Sequence, residues 1–99
     1  MKLVAYHPAA LAELEAEISC CERERTGAGA HVRTDIAESI ALIREFPRIG
    51  RCDRSGARRI VTRNYRYIIH YEFVGAQITI WAVAHPAREP GYWQSRRAS

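Results

Sequence analysis

The chain has 99 residues, which is enough for one domain and excludes an enzyme with a separate cofactor-binding lobe. Hydrophobic residues make up 47% and charged residues 26% of it, a globular composition that excludes disorder along the whole chain. The formal net charge of +4 is divided unevenly: residues 1–46 carry a net −3, whereas residues 47–99, with ten arginines and three acidic residues, carry +7, which favours contact with a polyanion or an acidic protein.

The first half of the chain predicts one strand followed by two helices. Residues 2–6 form a short apolar run, and Pro8 begins a helix because its missing N–H has no intrahelical partner at that position. The apolar stripe of this helix consists of Leu11, Leu14, Ile18 and Cys21. Gly27 ends it. A second helix, from about residue 29 to residue 46, has a stripe formed by Val32, Ile36, Ile40 and Ile43. Together they predict an antiparallel hairpin that needs a sheet to bury both stripes.

The second half predicts a loop and three strands. Residues 47–56 have the proline, glycine and polar content of an exposed loop. Residues 58–62, 65–73 and 77–84 are rich in β-branched and aromatic side chains and are separated by turns of hairpin length. The order β-α-α-β-β-β predicts a single α+β domain over residues 1–99, in which the helical hairpin packs on one face of an antiparallel sheet. The other face is left for a further contact.

The cysteine spacing and the length of the apolar segments indicate the cellular compartment. Cys20, Cys21 and Cys52 match neither a disulfide framework nor a zinc spacing. No apolar run has the length of a signal peptide or a membrane span. We therefore expect a soluble, cytoplasmic protein with no metal and no cofactor.

Five segments taken in order carry a resemblance to a known family. They are the helix that begins at Pro8 and residues 46–51 (FPRIGR), 58–61 (RRIV), 67–71 (YIIHY) and 85–88 (HPAR). In these segments the chain resembles the RelE/ParE superfamily, the toxins of bacterial type II toxin–antitoxin modules, often named plasmid-stabilisation proteins. The resemblance implies a toxin–antitoxin hetero-oligomer, in which a cognate antitoxin neutralises the toxin by wrapping a flexible segment across it. It also implies one of two targets: DNA gyrase for ParE-like members, or the ribosome and its mRNA for RelE-like endoribonucleases.

The ribonuclease alternative requires a base, an acid and cations around the reacting phosphate. Histidine side chains can act as base or acid near neutral pH, and His85 is the candidate for this role. Arg66 and Arg88 can clamp a phosphate, and Tyr92 can stack on a base or donate a proton. Strand alternation over residues 65–73 puts Arg66 on the same side as His70, but periodicity does not decide which side faces the helices.

Arginine dominates the basic residues, and its forked guanidinium suits carboxylate and phosphate partners. The candidates for binding an antitoxin or RNA are Arg51, Arg58, Arg59, Arg63 and Trp93. Tyr92 and Trp93 have a structural alternative, which is to dock the C-terminal segment onto the core. Lys2 is the only lysine, whereas the RelE-like ribonucleases that this chain resembles tend to have several lysines in their site. The resemblance therefore favours a ParE-like gyrase inhibitor over the ribonuclease. An inactive member that only binds antitoxin is a third alternative.

Overall fold

The computed structural model describes residues 2–98. Its elements, in chain order, are β1 (Leu3–Tyr6), α1 (Pro8–Glu24), α2 (Ala28–Glu45), β2 (Arg51–Cys52), β3 (Arg58–Val61), β4 (Ile68–Val74), β5 (Gln77–Ala84) and a 3₁₀ helix (Gln94–Ala98). The five strands form one sheet in the order β1-β5-β4-β3-β2. Strand β1 pairs with β5 in parallel, and the other neighbours are antiparallel. The predicted α+β class is confirmed, with a mixed sheet and one strand more than predicted.

Local sequence explains where the two helices begin and turn. His7 caps α1, since its Nδ1 accepts a hydrogen bond from the Ala9 N–H at 3.1 Å. Between the helices Gly27 has a φ of 91°, a left-handed conformation that glycine adopts without steric cost. The Glu22 carboxylate then accepts the Gly27 and Gly29 N–H groups at 3.1 Å, which ties the end of α1 to the start of α2.

No helix within residues 2–98 combines the length and apolar character that crossing a bilayer requires.

Both helices bury a stripe against the sheet, and the stripe of α1 differs from the predicted one at a single position, Leu11. All four predicted positions of α2 are buried. In α1, Leu11 is 45% exposed, and Ala10 is buried in its place together with Leu14. The buried face of α1 begins one residue earlier because Ala10 and Leu14 are four residues apart and so lie on the same side of the helix as Ile18. Ile18 and Cys21 pack at the margin of this core, as predicted.

The structure decides which side of β4 faces the helices. Tyr67, Ile69 and Tyr71 belong to the core under the helical hairpin. His70 points to the opposite face, where its ring stacks on Trp93 with centroids 4.9 Å apart. The aromatic side of the strand is therefore the inner side.

The loop predicted over residues 47–56 contains the additional strand, β2. Arg51 and Cys52 pair antiparallel with Arg59 and Arg58. A turn closes this small hairpin, in which the Asp53 Oδ1 accepts the Ser55 N–H at 2.8 Å. Two polar residues carry no strand signal of their own, and only the partner strand defines β2.

Strand β4 begins at Ile68, later than the predicted residue 65. The Asp35 carboxylate on α2 accepts the N–H groups of Asn64 and Tyr65 at 3.0 and 2.8 Å, so these groups are not free to join the sheet. Arg66 follows with a φ of 64°, outside the strand region. The prediction that Arg66 lies on a strand face is therefore wrong, because the hydrogen bonds to Asp35 hold the residues before Arg66 in a turn.

The second face of the sheet is covered by the chain's own C-terminal segment, residues 85–98. Trp93 is fully buried there and packs with Ala57 and Ala82 in a second apolar cluster, with Trp81 and Tyr92 at its margin. The expectation that this face is left for another molecule is wrong where Trp93 lies. The sheet thus has a helical hairpin on one side and an irregular segment on the other.

The turn after α2 offers a test of this packing. Tyr71 reaches through the core and donates its hydroxyl to the Pro47 carbonyl at 2.7 Å, while accepting the Gly50 N–H at 2.9 Å. A Cβ on Gly50 would lie 2.6 Å from the Tyr71 hydroxyl oxygen and 2.9 Å from the Arg59 carbonyl oxygen. We expect Gly50→Ala to lower the free energy of unfolding by about 2 kcal/mol, as overpacking does, when measured by urea denaturation.

The control is Gly91→Ala, because a Cβ at Gly91 meets no atom within 4 Å. Its free energy of unfolding should stay within about 0.5 kcal/mol of the parent protein. Equal denaturation midpoints for the two variants would contradict the tight approach at Gly50.

Candidate functional site

Three of the four predicted catalytic residues lie around one hollow. His85, Arg88 and Tyr92 line a space of about 230 Å³ beside α1, together with Glu13, Ala16, Glu17 and Val83. His85 comes directly after β5, and the C-terminal segment then brings Arg88 and Tyr92 back over the helix. Arg66 is not among the lining residues and lies in the turn before β4.

A carboxylate that sequence reasoning did not identify organises this hollow. Glu13 accepts the Tyr92 hydroxyl at 2.6 Å and the Val83 N–H at 3.1 Å. The Arg96 guanidinium donates to both of its oxygens, at 3.0 and 2.9 Å. Burial by itself would raise the pKa of Glu13, but these hydrogen bonds outweigh it and hold the pKa below its usual value. Glu13 is therefore an ionised anchor for the C-terminal segment.

The remaining groups of the hollow are poorly arranged for cleaving a phosphodiester. Burial and the hydrogen bond that its hydroxyl donates to Glu13 raise the pKa of Tyr92, so Tyr92 retains its proton and does not readily give it to a leaving group. The Arg88 guanidinium lies over the Tyr92 ring at 4.0 Å. His85 accepts the Ala87 N–H on Nδ1 at 3.1 Å. The carboxylates of Glu13 and Glu17 line the same space and offset the positive charge of Arg88 and Arg96, which the transition state of a phosphate would need.

A second ion pair fastens the end of the C-terminal segment. Arg97 donates to both oxygens of Glu72 at 2.7 and 2.8 Å, and Trp81 donates its Nε1–H to the same carboxylate at 2.9 Å. Glu72 lies on β4 on the same face as His70. The pairs Glu13–Arg96 and Glu72–Arg97 join residues 83 and 25 positions apart, and no local pattern in the sequence could have linked them.

Trp93 was predicted to contact a partner, and the structure places it elsewhere. Its side chain has no exposed surface, and its ring is stacked on His70. A large apolar ring gains more by filling this cluster than by facing water. In this conformation Trp93 docks the C-terminal segment, which is the structural alternative that the sequence also allowed.

The four predicted binding arginines differ in exposure. Arg51 and Arg63 are exposed, whereas Arg58 and Arg59 are half-buried neighbours on β3. Arg58 donates to the Arg48 and Gly50 carbonyls at 3.1 and 2.8 Å, so it also holds the turn after α2. Arg59 is opposite His70 in the sheet. None of the four forms a salt bridge with another residue of the described part of the chain.

His70 is a buried titratable group that the predicted chemistry does not use. Neither of its ring nitrogens has a hydrogen-bond partner within residues 2–98. Burial lowers its pKa to about 4, with Arg59 and Arg96 acting in the same direction and Asp53 and Glu13 against it. No three His, Cys, Asp or Glu side chains of the described residues come together as a metal site.

Because the imidazole of His70 is buried, we expect the folded protein to lose stability in weak acid. Below about pH 6.5 the unfolded chain takes up a proton on His70, whereas the folded protein does so only near pH 4, so the unfolded state binds more protons in between. The free energy of unfolding should therefore fall by about 2 kcal/mol between pH 7.5 and pH 5, measured by urea denaturation at each pH. His70→Leu should remove most of this fall, while His31→Leu, at an exposed position, should leave it unchanged. An unaltered pH dependence in His70→Leu would contradict the assignment.

Comparison with known proteins places this geometry in context. A family model described as the ParE toxin of the type II toxin–antitoxin system, parDE, matches residues 4–90. Among solved structures, a chain of the chromosomal ParDE toxin–antitoxin system from P. aeruginosa is similar to this one, with a TM-score of 0.71 and 17% sequence identity. The alignment covers 86% of this chain and 96% of that one, so the two share a fold. A comparison with curated proteins finds no match.

Proposed function

This chain belongs to the ParE toxin family of type II toxin–antitoxin systems, and we propose that it arrests growth by binding and inhibiting DNA gyrase until a cognate antitoxin neutralises it. The family membership favours this activity over the RelE-like endoribonuclease. In this proposal the protein acts through its surface, and no covalent chemistry is involved.

Two of the predicted catalytic residues, Tyr92 and Arg88, hold the C-terminal segment in place, and this observation supports the proposal. Tyr92 and Arg96 are held by Glu13, and Arg88 lies on the Tyr92 ring. These contacts fasten the C-terminal segment to α1 and engage two cations, Arg88 with the Tyr92 ring and Arg96 with Glu13. In this proposal the side chains of the hollow attach the C-terminal segment to α1 and do not form a site for RNA cleavage.

The surface charge suits a protein target with acidic residues. From residue 51 onward, the exposed arginines that form no salt bridge within the described residues are Arg51, Arg54, Arg63, Arg66 and Arg88. Such charges steer association and set its salt dependence. Arg51 and Arg63, two of the predicted binding residues, are members of this set.

The direct test is supercoiling of plasmid DNA by purified gyrase. Toxin at saturating concentration is expected to abolish supercoiling, and His85→Ala is expected to inhibit within about twofold of the parent protein because the proposal gives His85 no catalytic role. Full supercoiling activity in the presence of folded, saturating toxin would overturn the proposal.

The matched test addresses the ribonuclease. Purified ribosomes that carry a defined mRNA are expected to show no A-site cleavage when toxin is added. Cleavage that falls at least about tenfold in His85→Ala, the scale expected for the loss of a general base, would replace gyrase inhibition by the RelE-like activity.

A further inference from the structure

An open apolar groove lies at the end of α2, away from the C-terminal segment. It has a volume of about 420 Å³, and its apolar lining consists of Phe46, Pro47, Ile49 and Phe73. Phe46 is 54% exposed and Ile49 is 46% exposed. Leu42, one helical turn before Phe46 and also exposed, extends the same apolar surface. We call this region the end groove.

The end groove is preformed. Phe46 ends α2 with its N–H bonded to the Leu42 carbonyl at 2.8 Å. The following turn is held by Tyr71 and by Arg58 through the hydrogen bonds described above. Because these contacts fix the backbone on which Phe46 and Ile49 stand, a ligand could bind without first ordering the turn.

Basic side chains surround the end groove. Lys2 and Arg48 line it, and the Arg58 guanidinium lies 6.0 Å from the centroid of the Phe73 ring. Arg44 reaches its margin, since its Nε donates to the Lys2 carbonyl at 3.2 Å. Among the described residues that line the groove, one is acidic, Glu45, and none of the four cations forms a salt bridge with another described residue.

We propose that the end groove binds an acidic, amphipathic segment of the antitoxin, which places apolar side chains against Phe46 and Ile49 and carboxylates opposite Lys2 and Arg48. The inference rests on membership of a toxin–antitoxin family, and it adds the surface and the chemistry of the partner segment. Stable protein complexes bury an apolar centre within a polar rim, which is the arrangement found here.

Charge separates this occupant from the alternatives. In a symmetric contact between two copies of this chain, the basic rim would face itself, and like charges across an interface are unfavourable. Nucleic acid would pair with the cations but would leave the exposed Phe46 and Ile49 side chains without apolar partners. An acidic, amphipathic segment would contact both the apolar centre and the basic rim.

The test uses three single variants of the full chain and the cognate antitoxin, identified as the gene product that restores growth to cells expressing the toxin. Ile49→Glu places a charge in the apolar centre, and Arg48→Glu reverses one rim charge at an exposed side chain. Leu11→Glu is the matched control, because Leu11 on α1 is 45% exposed, much as Ile49 is. Thermal unfolding of each variant verifies that it is folded.

We expect Ile49→Glu to weaken binding of the purified antitoxin by at least about 30-fold, the scale of an interface hot spot, and Arg48→Glu by about tenfold. Binding by the parent protein should weaken with added NaCl more steeply than binding by Arg48→Glu. Leu11→Glu should bind within about twofold of the parent protein. Cells that express Ile49→Glu or Arg48→Glu should stop growing even when the antitoxin is present.

Two results would overturn the inference. In one, antitoxin binding by all three variants equals that of the parent protein. In the other, Ile49→Glu and Arg48→Glu bind antitoxin normally but no longer arrest growth, which would assign the end groove to the toxin's target. Failure of gyrase inhibition is a separate outcome, because the loss of antitoxin binding can be measured whichever target the toxin has.

Discussion

Trp93→Ala is expected to lower the free energy of unfolding by about 3–5 kcal/mol, the usual cost of truncating a large buried aromatic side chain. Trp93 is fully buried, packs on Ala57 and Ala82, and stacks on His70. Small neighbours such as alanine cannot move to fill the space, so most of the cavity should remain. Since a domain of this size has a total stability of about 5–15 kcal/mol, this one change could remove a large part of it. Urea denaturation followed by circular dichroism measures the effect.

The control for Trp93 is Trp93→Phe, which retains a ring against His70. The indole N–H of Trp93 has no hydrogen-bond partner within residues 2–98, so its removal costs no hydrogen bond. We expect the phenylalanine variant to lose clearly less stability than the alanine variant. If Trp93→Ala were as stable as the parent protein, the C-terminal segment would not be packed on the sheet.

Glu13→Ala is expected to lower the free energy of unfolding by about 2–4 kcal/mol. It removes the acceptor of Arg96, of the Tyr92 hydroxyl and of the Val83 N–H. The side chains of Glu13 and Arg96 are only 22% and 17% exposed, so the guanidinium would be left with its charge poorly solvated, and breaking such a pair costs more than forming it gains. Hydrogen exchange should also show faster exchange in residues 92–98 than in the parent protein, because these residues lose their anchor.

The control for Glu13 is Glu15→Ala, two residues away on α1. Glu15 pairs with Arg33 at 3.7 Å, and both side chains are more than half exposed, so the pair should contribute no more than about 0.5 kcal/mol. A loss of stability as large in Glu15→Ala as in Glu13→Ala would mean that the charge of α1, rather than the anchor at Glu13, is what matters.

The fold was largely predictable because its main signals are local. Proline and glycine set the boundaries of α1 and α2, and the stripe of α2 was found at all four positions. The segments that failed were those in which a distant group overrides the local pattern. Asp35 draws Asn64 and Tyr65 out of β4, and β2 exists only through its pairing with β3.

The sequence identified some of the residues that line the candidate hollow, but not the Glu13 carboxylate. His85, Arg88 and Tyr92 were singled out for their chemistry and do lie together. Glu13 lies outside the predicted apolar stripe of α1 and was not among the candidate residues, although its carboxylate holds Tyr92 and Arg96. An acidic residue on a helix is usually solvated, and only a contact across 83 positions of the chain distinguishes Glu13 from Glu15.

The amino-acid sequence by itself determined the α+β class, the helical hairpin, the division of charge between the two halves and the family resemblance. These properties depend on residue type, on short-range periodicity and on the order of segments. Only the tertiary structure decided which face of the sheet is inner, that residues 85–98 cover the other face, and that the end groove remains open. Strand alternation separates two faces but carries no information about what covers each of them, since that depends on the packing of side chains distant in the sequence.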